Sequence, residues 1–181
     1  PVRDVETIET ELLLADILTL EKRKHKVEKL ARSGEKEAKN SLYILDLLLE
    51  HCSNGNAARL VKVDEEYIEF KKSLQLLTEK PVLYIANTDE AETVEGKSGE
   101  HLRSLEEYAL KENNVVISLC SSIEQEIALL EEKEKPLFLQ EYGLSEPGLN
   151  RVIRSSFELL DLQNFFTCGE KRCHIDYYMH I

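Results

Sequence analysis

Two short apolar runs on either side of a helical stretch constrain the fold of this chain more than any other feature. The first run covers residues 81–87 and the second covers residues 115–120. Their length, and the proline and polar residues that bound the first of them, indicate buried strands. The segment from about Ser98 to Glu112 is predicted as a helix. This strand–helix–strand order is typical of a parallel sheet, so we expect a mixed α/β fold.

Polar residues follow both predicted strands. Asn87-Thr88-Asp89-Glu90 comes directly after the first strand, and Cys120-Ser121-Ser122 comes at the end of the second. Parallel sheets bind ligands beyond the carboxyl ends of their strands, so both segments are candidate binding loops. Ser122 is also a candidate N-cap for the helix that follows.

The first part of the chain is predicted to be a helical hairpin. Residues 3–32 and 35–52 are predicted as helices, and Ser33-Gly34 breaks the pattern between them. Two helices with a short connection lie antiparallel. Lys24 interrupts the apolar stripe of the first helix. The stripes predicted to form the hairpin interface are Leu13, Ile17, Leu20 and Val27 on the first helix and Ala38, Leu42, Leu45, Leu49 and Cys52 on the second.

The remaining elements are predicted from shorter signals. A third helix is expected at about residues 65–78, and two more at 131–142 and 146–160. Pro147 near the start of the last helix fits the preference of proline for a first turn. A strand is expected at residues 164–168.

The charge and composition of the chain reduce the number of functions that are expected of it. The chain has 35 acidic and 23 basic residues and a net charge of −12, so direct DNA binding is not expected. No apolar stretch approaches the roughly 20 residues of a membrane helix, and we expect a cytoplasmic chain without membrane contact. The four cysteines are expected to be free thiols. No metal site is expected, because no standard zinc spacing relates Cys168, Cys173, His174 and His180.

The segment after the first strand carries a weak nucleotide motif. GTPases recognise guanine with Asn-Lys-x-Asp at the end of a buried strand, and a second loop some thirty residues later presents backbone N–H groups to the base. Here Asn87 matches the first position, Thr88 stands in place of Lys, and Glu90 stands in place of Asp. An isolated Asn-x-x-Glu occurs by chance in many proteins. The second loop at residues 120–122 favours a nucleotide site over a solvated turn.

The Asn-x-x-Glu variant resembles the YchF-type (Obg-like) ATPases, which are P-loop NTPases. Residues 1–12 look like the entry to that family's coiled-coil insertion, residues 146–154 resemble the helix before its C-terminal TGS domain, and residues 162–171 resemble the start of that domain. The resemblance implies three regions. They are a coiled-coil insertion with a return helix at 1–78, the rear part of a Ras-like nucleotide-binding domain at 79–145, and a connecting helix with a TGS remnant at 146–181.

The resemblance also implies a purine nucleotide site and a ribosome-associated role. ATP or GTP would bind with Mg²⁺, and the predicted nucleotide-binding residues are Asn87, Thr88, Glu90, Cys120, Ser121 and Ser122, with Thr88 behind the base. The sequence contains no Gly-x-x-x-x-Gly-Lys-[Ser/Thr]. The phosphate-binding part and the Mg²⁺ ligands are therefore expected outside this chain, no catalytic residue is assigned within it, and the chain alone is expected to be inactive.

Two other interpretations stay open at this stage. The chain could be a non-catalytic helical interaction module, or a decayed, truncated product. After Lys171 the sequence departs from the family. Because a TGS sheet cannot close on one strand, residues from about Gly169 onward are expected to be mobile or to pair with a neighbouring molecule.

Overall fold

The structure is a computed structural model that describes residues 1–31, 36–95, 99–168 and 173–179. It is a mixed α/β fold, mostly helical with a small parallel sheet, as the sequence predicted. The chain divides into two compact units, Val2–Pro81 and Val82–Ile181. The predicted turn at Ser33-Gly34 lies outside the described residues. The three-region assignment made from the sequence stays a prediction.

The first unit is built on two long helices. Helix α1 (Val2–Ala31) packs along helix α2 (Lys36–Ser53), as predicted, and a single 3₁₀ turn (Ala58–Leu60) and helix α3 (Glu65–Ser73) follow. The predicted interface is confirmed, because its members are buried or packed against the core. The sequence missed Ile44 and Leu48, which are also buried. The fully or largely buried members of this core include Leu13, Leu20, Val27, Ala38, Ile44, Leu45, Leu48 and Cys52.

Lys24, which interrupts the apolar stripe of α1, forms an ion pair with the other helix. Its Nζ lies 2.6 Å from Oδ1 of Asp46 on α2. The hydrogen bond to Asp46 raises the pKa of the Lys24 ammonium. This pairing of a residue near the end of α1 with one in the middle of α2 fits the antiparallel arrangement.

Helix α3 is shorter than predicted: Gln75 has a positive φ of 51°, and a buried carboxylate binds backbone N–H groups that follow it. The prediction of a helix to residue 78 was wrong, since α3 ends at Ser73. Asp16 on α1 accepts hydrogen bonds from the N–H of Leu77 at 2.7 Å and from the N–H and hydroxyl of Thr78 at 2.8 and 2.7 Å. The Thr78 hydroxyl accepts one from the N–H of Ala58 at 3.0 Å. These N–H groups are therefore unavailable for helical hydrogen bonds.

The second unit contains the predicted parallel strands. Strand β1 (Leu83–Asn87) pairs with strand β2 (Val115–Leu119), and Asn87 is in register with Leu119. Helices α4 (Glu90–Glu95) and α5 (Glu100–Lys111) lie between them in the chain, and the sequence did not predict α4. Helices α6 (Ser121–Leu129) and α7 (Lys135–Glu141) follow β2.

The end of the chain differs from the expectation. Helix α8 (Gly148–Leu159) has Pro147 as its N-cap rather than in its first turn. Strand β3 (Leu162–Cys168) pairs antiparallel with strand β4 (Cys173–Met179), with Leu162 opposite Met179. The expectation that the tail would have no partner strand within the chain was wrong. That expectation was based on the absence of the other strands of a TGS sheet. In the structure, β4 provides the antiparallel hydrogen-bond partner for β3.

None of the helices in the described part of the chain combines the length and apolar character that a membrane span requires.

Candidate functional site: two loops at the carboxyl ends of β1 and β2

The two candidate loops lie next to each other at one edge of the parallel sheet. The first loop (residues 87–90) starts at the end of β1, and the second loop (residues 120–122) follows β2. Because the strands are parallel and Asn87 is in register with Leu119, both chains leave the sheet at the same edge. The structure therefore brings together the two segments that the sequence predicted.

Asn87 forms the main connection between the loops. Its side-chain oxygen Oδ1 accepts hydrogen bonds from the backbone N–H of Ser121 at 3.0 Å and from the Ser121 hydroxyl at 2.7 Å. One amide oxygen therefore fixes both the backbone and the side chain at the start of α6. This arrangement fits the loop-fixing role expected of the Asn in a purine-recognition motif.

Glu90 and Ser122 form the second connection. The Ser122 hydroxyl donates to Oε1 of Glu90 at 2.9 Å, and the Cys120 sulfur lies 3.0 Å from the same hydroxyl. The prediction of Ser122 as an N-cap was wrong, because α6 begins at Ser121 and its N-cap is Cys120. The Ser122 side chain is directed to Glu90 instead. Glu90 is exposed at the loop surface, where a carboxylate can accept hydrogens from a base edge.

Thr88 continues the pairing of the strands by one residue. Its N–H donates to the carbonyl of Leu119 at 2.8 Å, and its hydroxyl donates to the same carbonyl at 3.2 Å. The hydroxyl also lies 3.3 Å from that of Thr93 on α4. A small, half-buried side chain thus occupies the position where a GTPase carries the long stem of lysine.

The charge around the loops is mainly negative. Burial first, and then the charges of Glu126 and Glu90, raise the pKa of the Tyr142 phenol. Asp89 is exposed in the first loop. Neither loop (residues 87–90 and 120–122) contains a lysine or an arginine.

A cavity of about 170 Å³ adjoins both loops, and two residues that sequence reasoning missed line it. Glu124 of α6 and Arg151 of α8 contribute charged side chains there. No periodicity or motif in the sequence singles out Glu124 or Arg151. Their position becomes apparent only from contacts between elements that are distant in the sequence. The cavity is lined by Thr88, Glu92, Thr93, Leu102, Ser118, Leu119, Cys120, Ile123, Glu124, Leu144 and Arg151.

Among the described residues of the two loops, Glu90 offers an exposed carboxylate acceptor of the kind that the edge of a base can bind. In the described part of the chain, Glu90 accepts only the Ser122 hydroxyl at Oε1, whereas Oδ1 of Asn87 already accepts two hydrogen bonds from Ser121, so that Glu90 is the acceptor of the pair. Purine edges present N–H groups to such acceptors. The sequence contains no complete Gly-x-x-x-x-Gly-Lys-[Ser/Thr] phosphate loop.

The fold and the paired loops define an α/β protein that combines a parallel sheet with a helical hairpin. Known proteins of the same kind were found by comparison. No protein-family model matches the chain. A structure titled as the Schizosaccharomyces pombe YchF GTPase has the same fold, with a TM-score of 0.89 and 24% sequence identity over 99% of this chain and 49% of that one.

The sequence comparison is more specific. The chain is 44% identical over 171 residues to the ribosome-binding ATPase YchF of Bacillus subtilis (strain 168), covering 94% of this chain and 47% of that protein. It is 42% identical over 172 residues to the protein of the same name from Escherichia coli O157:H7, covering 94% and 46%. The chain is therefore homologous to the YchF ATPases over part of their length. It spans about half the length of the curated relatives that it matches.

Proposed function

We propose that this chain supplies the purine-recognition half of an ATP or GTP site. Asn87, Thr88 and Glu90 would form one side of the base pocket, and residues 120–122 would form the other. The observation that carries this proposal is the double hydrogen bond from Ser121 to Asn87 Oδ1, at 3.0 and 2.7 Å. It holds the two loops at a fixed separation, as a site for a flat base requires.

The chemistry of hydrolysis would come from sequence outside the chain. The phosphate-binding loop and the Mg²⁺ ligands would lie outside these 181 residues, because the 181 residues contain no matching motif. Mg²⁺ would neutralise charge on the phosphates. The residues described here would bind and orient the purine.

The proposal extends to the ribosome, to the location in the cell and to the regions of the chain. The relatives are named ribosome-binding ATPases, and we infer that a protein containing this chain associates with ribosomes and acts in the cytoplasm. The α1–α2 hairpin would be the coiled-coil insertion of the family. The segment from α8 to β4 would be the connecting helix and the beginning of a TGS domain.

A binding experiment tests the proposal. The chain with its native upstream sequence should bind ATP or GTP, and Asn87→Ala should weaken nucleotide binding about tenfold, which corresponds to about 1.4 kcal/mol. Inorganic tripolyphosphate, which has no base, should bind both forms equally. Asn56→Ala, an exposed asparagine in the other unit, is the control. Unchanged nucleotide affinity in Asn87→Ala would contradict the proposal.

A further inference from the structure

A second set of polar contacts connects the loop at 120–122 to helix α8. The carboxylate of Glu124 on α6 accepts hydrogen bonds from the backbone N–H groups of Gly148 at 2.6 Å and Leu149 at 3.1 Å. It therefore satisfies two of the N–H groups that the start of a helix leaves without an internal partner. Glu124 is in the first turn of α6, which also carries Ser121 and Ser122.

Arg151 makes the reverse connection from α8 to the sheet. Its Nη2 donates to the backbone carbonyl of Ser118 at 2.7 Å, and this contact is partly buried. Ser118 directly precedes Leu119, whose carbonyl accepts both hydrogen bonds from Thr88. The guanidinium therefore binds the end of β2, one residue before the Leu119 carbonyl that accepts the hydrogen bonds from Thr88.

The start of α8 also approaches β2 closely. A Cβ atom at Gly148 would lie 2.9 Å from Cβ of Leu119 and 2.9 Å from Oε1 of Glu124, closer than side-chain carbons normally lie. The absence of a side chain at Gly148 thus permits both the Glu124 contacts and the packing of α8 against β2.

These contacts close a ring of three elements around the second loop. The ring joins the end of β2, the first turn of α6 and the first turn of α8. The 170 Å³ cavity is lined by residues of this region, among them Cys120, Glu124 and Arg151. Apolar packing also holds the second loop, since Cys120 and Ile123 are buried in a cluster against which Phe138 and Leu144 pack, and the polar contacts add directional restraints to it.

We propose that Glu124 and Arg151 are positioning residues for purine recognition. They act through Ser121, Ser122 and the end of β2, and they do not contact the base themselves. The inference rests on the proposed function, since it concerns the same pair of loops. If these residues position the loops, a displacement of α8 changes the separation of the two loops. A contact that moves α8 would then change the nucleotide affinity.

The test uses the chain with its native upstream sequence and the variants Glu124→Gln and Arg151→Met. Glu124→Gln leaves one acceptor oxygen for two N–H groups, and Arg151→Met removes the donor to Ser118 while keeping an unbranched side chain. ATP and GTP should bind about three- to tenfold more weakly, while tripolyphosphate affinity stays unchanged. Gly148→Ala, which forces α8 away without changing charge, should give the same pattern.

The controls are neighbouring residues with the same chemistry. Glu126→Gln on α6 and Arg154→Met on α8 change exposed side chains, and Arg154 bonds Glu146 rather than the sheet. Both should bind nucleotide normally. Arg151→Lys retains one donor and should recover part of the lost affinity. It also provides a folded comparison if Arg151→Met fails to fold, and a loss in Arg151→Lys that is equal for nucleotide and for tripolyphosphate would then overturn the inference.

The outcomes separate this inference from the proposed function. Equal losses for nucleotide and tripolyphosphate would mean a general structural role and would overturn the inference. If Asn87→Ala weakens nucleotide binding while Glu124→Gln and Arg151→Met do not, only the positioning role fails. If Asn87→Ala has no effect either, the proposed function itself fails.

Discussion

Asp16 and Thr78 are 62 positions apart in the sequence and are joined by two hydrogen bonds, from the backbone N–H of Thr78 at 2.8 Å and from its hydroxyl at 2.7 Å. Asp16 is 2% exposed. A buried carboxylate is tolerated only when hydrogen bonds replace its lost hydration, and Leu77 provides the third one. This contact fixes the chain after α3 against α1.

The first prediction concerns that carboxylate. Asp16→Ala should lower the free energy of unfolding by about 3 kcal/mol, because it leaves buried N–H groups of Leu77 and Thr78 without an acceptor. Urea unfolding would measure the loss. Asp46→Ala, which removes an exposed carboxylate of the same hairpin, should cost no more than about 1 kcal/mol. Equal losses in the two variants would show that the Asp16 contacts are not important for stability.

The second prediction concerns the hairpin interface. Leu45 is fully buried between α1 and α2, so Leu45→Ala should cost about 2 to 5 kcal/mol of unfolding free energy. Leu14→Ala is the matched control, because Leu14 is 57% exposed and should lose within about 0.5 kcal/mol. A small loss at Leu45 would mean that α1 and α2 do not pack in this register.

The third prediction concerns pH. Burial, and then the charge of Asp16, raise the pKa of the Cys52 thiol to about 11, from 9.0. The unfolded chain ionises first as the pH rises, so Cys52 contributes stability below about pH 9 that is lost towards pH 11. Unfolding measured across this range should show a steeper fall for the wild type than for Cys52→Ala. Parallel curves would contradict the assignment.

The fourth prediction concerns base selectivity. In the chain with its native upstream sequence, Thr88→Lys together with Glu90→Asp should shift preference towards GTP, since it restores the lysine stem and the shorter carboxylate of the guanine motif. The ratio of ATP to GTP affinities would measure the shift. Asp89→Ala changes an exposed residue of the same loop and should leave the ratio unchanged. An unchanged ratio in the double variant would show that other residues read the base.

The sequence was informative where structure depends on local pattern. The stripes of α1 and α2 and the apolar runs of β1 and β2 repeat at periods that specify their elements, and the polar residues after the strands could be placed at one edge. Those inferences needed no knowledge of distant contacts.

Several of the features that the sequence did not predict depend on pairing between segments, which a local pattern does not report. The end of α3 depends on Asp16, which is some sixty residues away. Strand β4 depends on β3, although its own sequence gave no strand signal. The contacts of Glu124 and Arg151 join residues 24 and 33 positions apart, and no periodicity reports such pairs.

The polar contacts along α1 have a mechanical consequence. Glu9 pairs with Arg59 and Asp16 bonds Thr78, so the first half of this helix is held, while its far end at Ala31 is about 33 Å from Glu9. Because α1 packs along α2 and Lys24 pairs with Asp46, the two helices form one stiff body. Tilting it by about 5° about Glu9 would move the far end by about 3 Å, roughly the length of a hydrogen bond, so a very small rotation at the held end becomes a displacement large enough to make or break contacts at the tip.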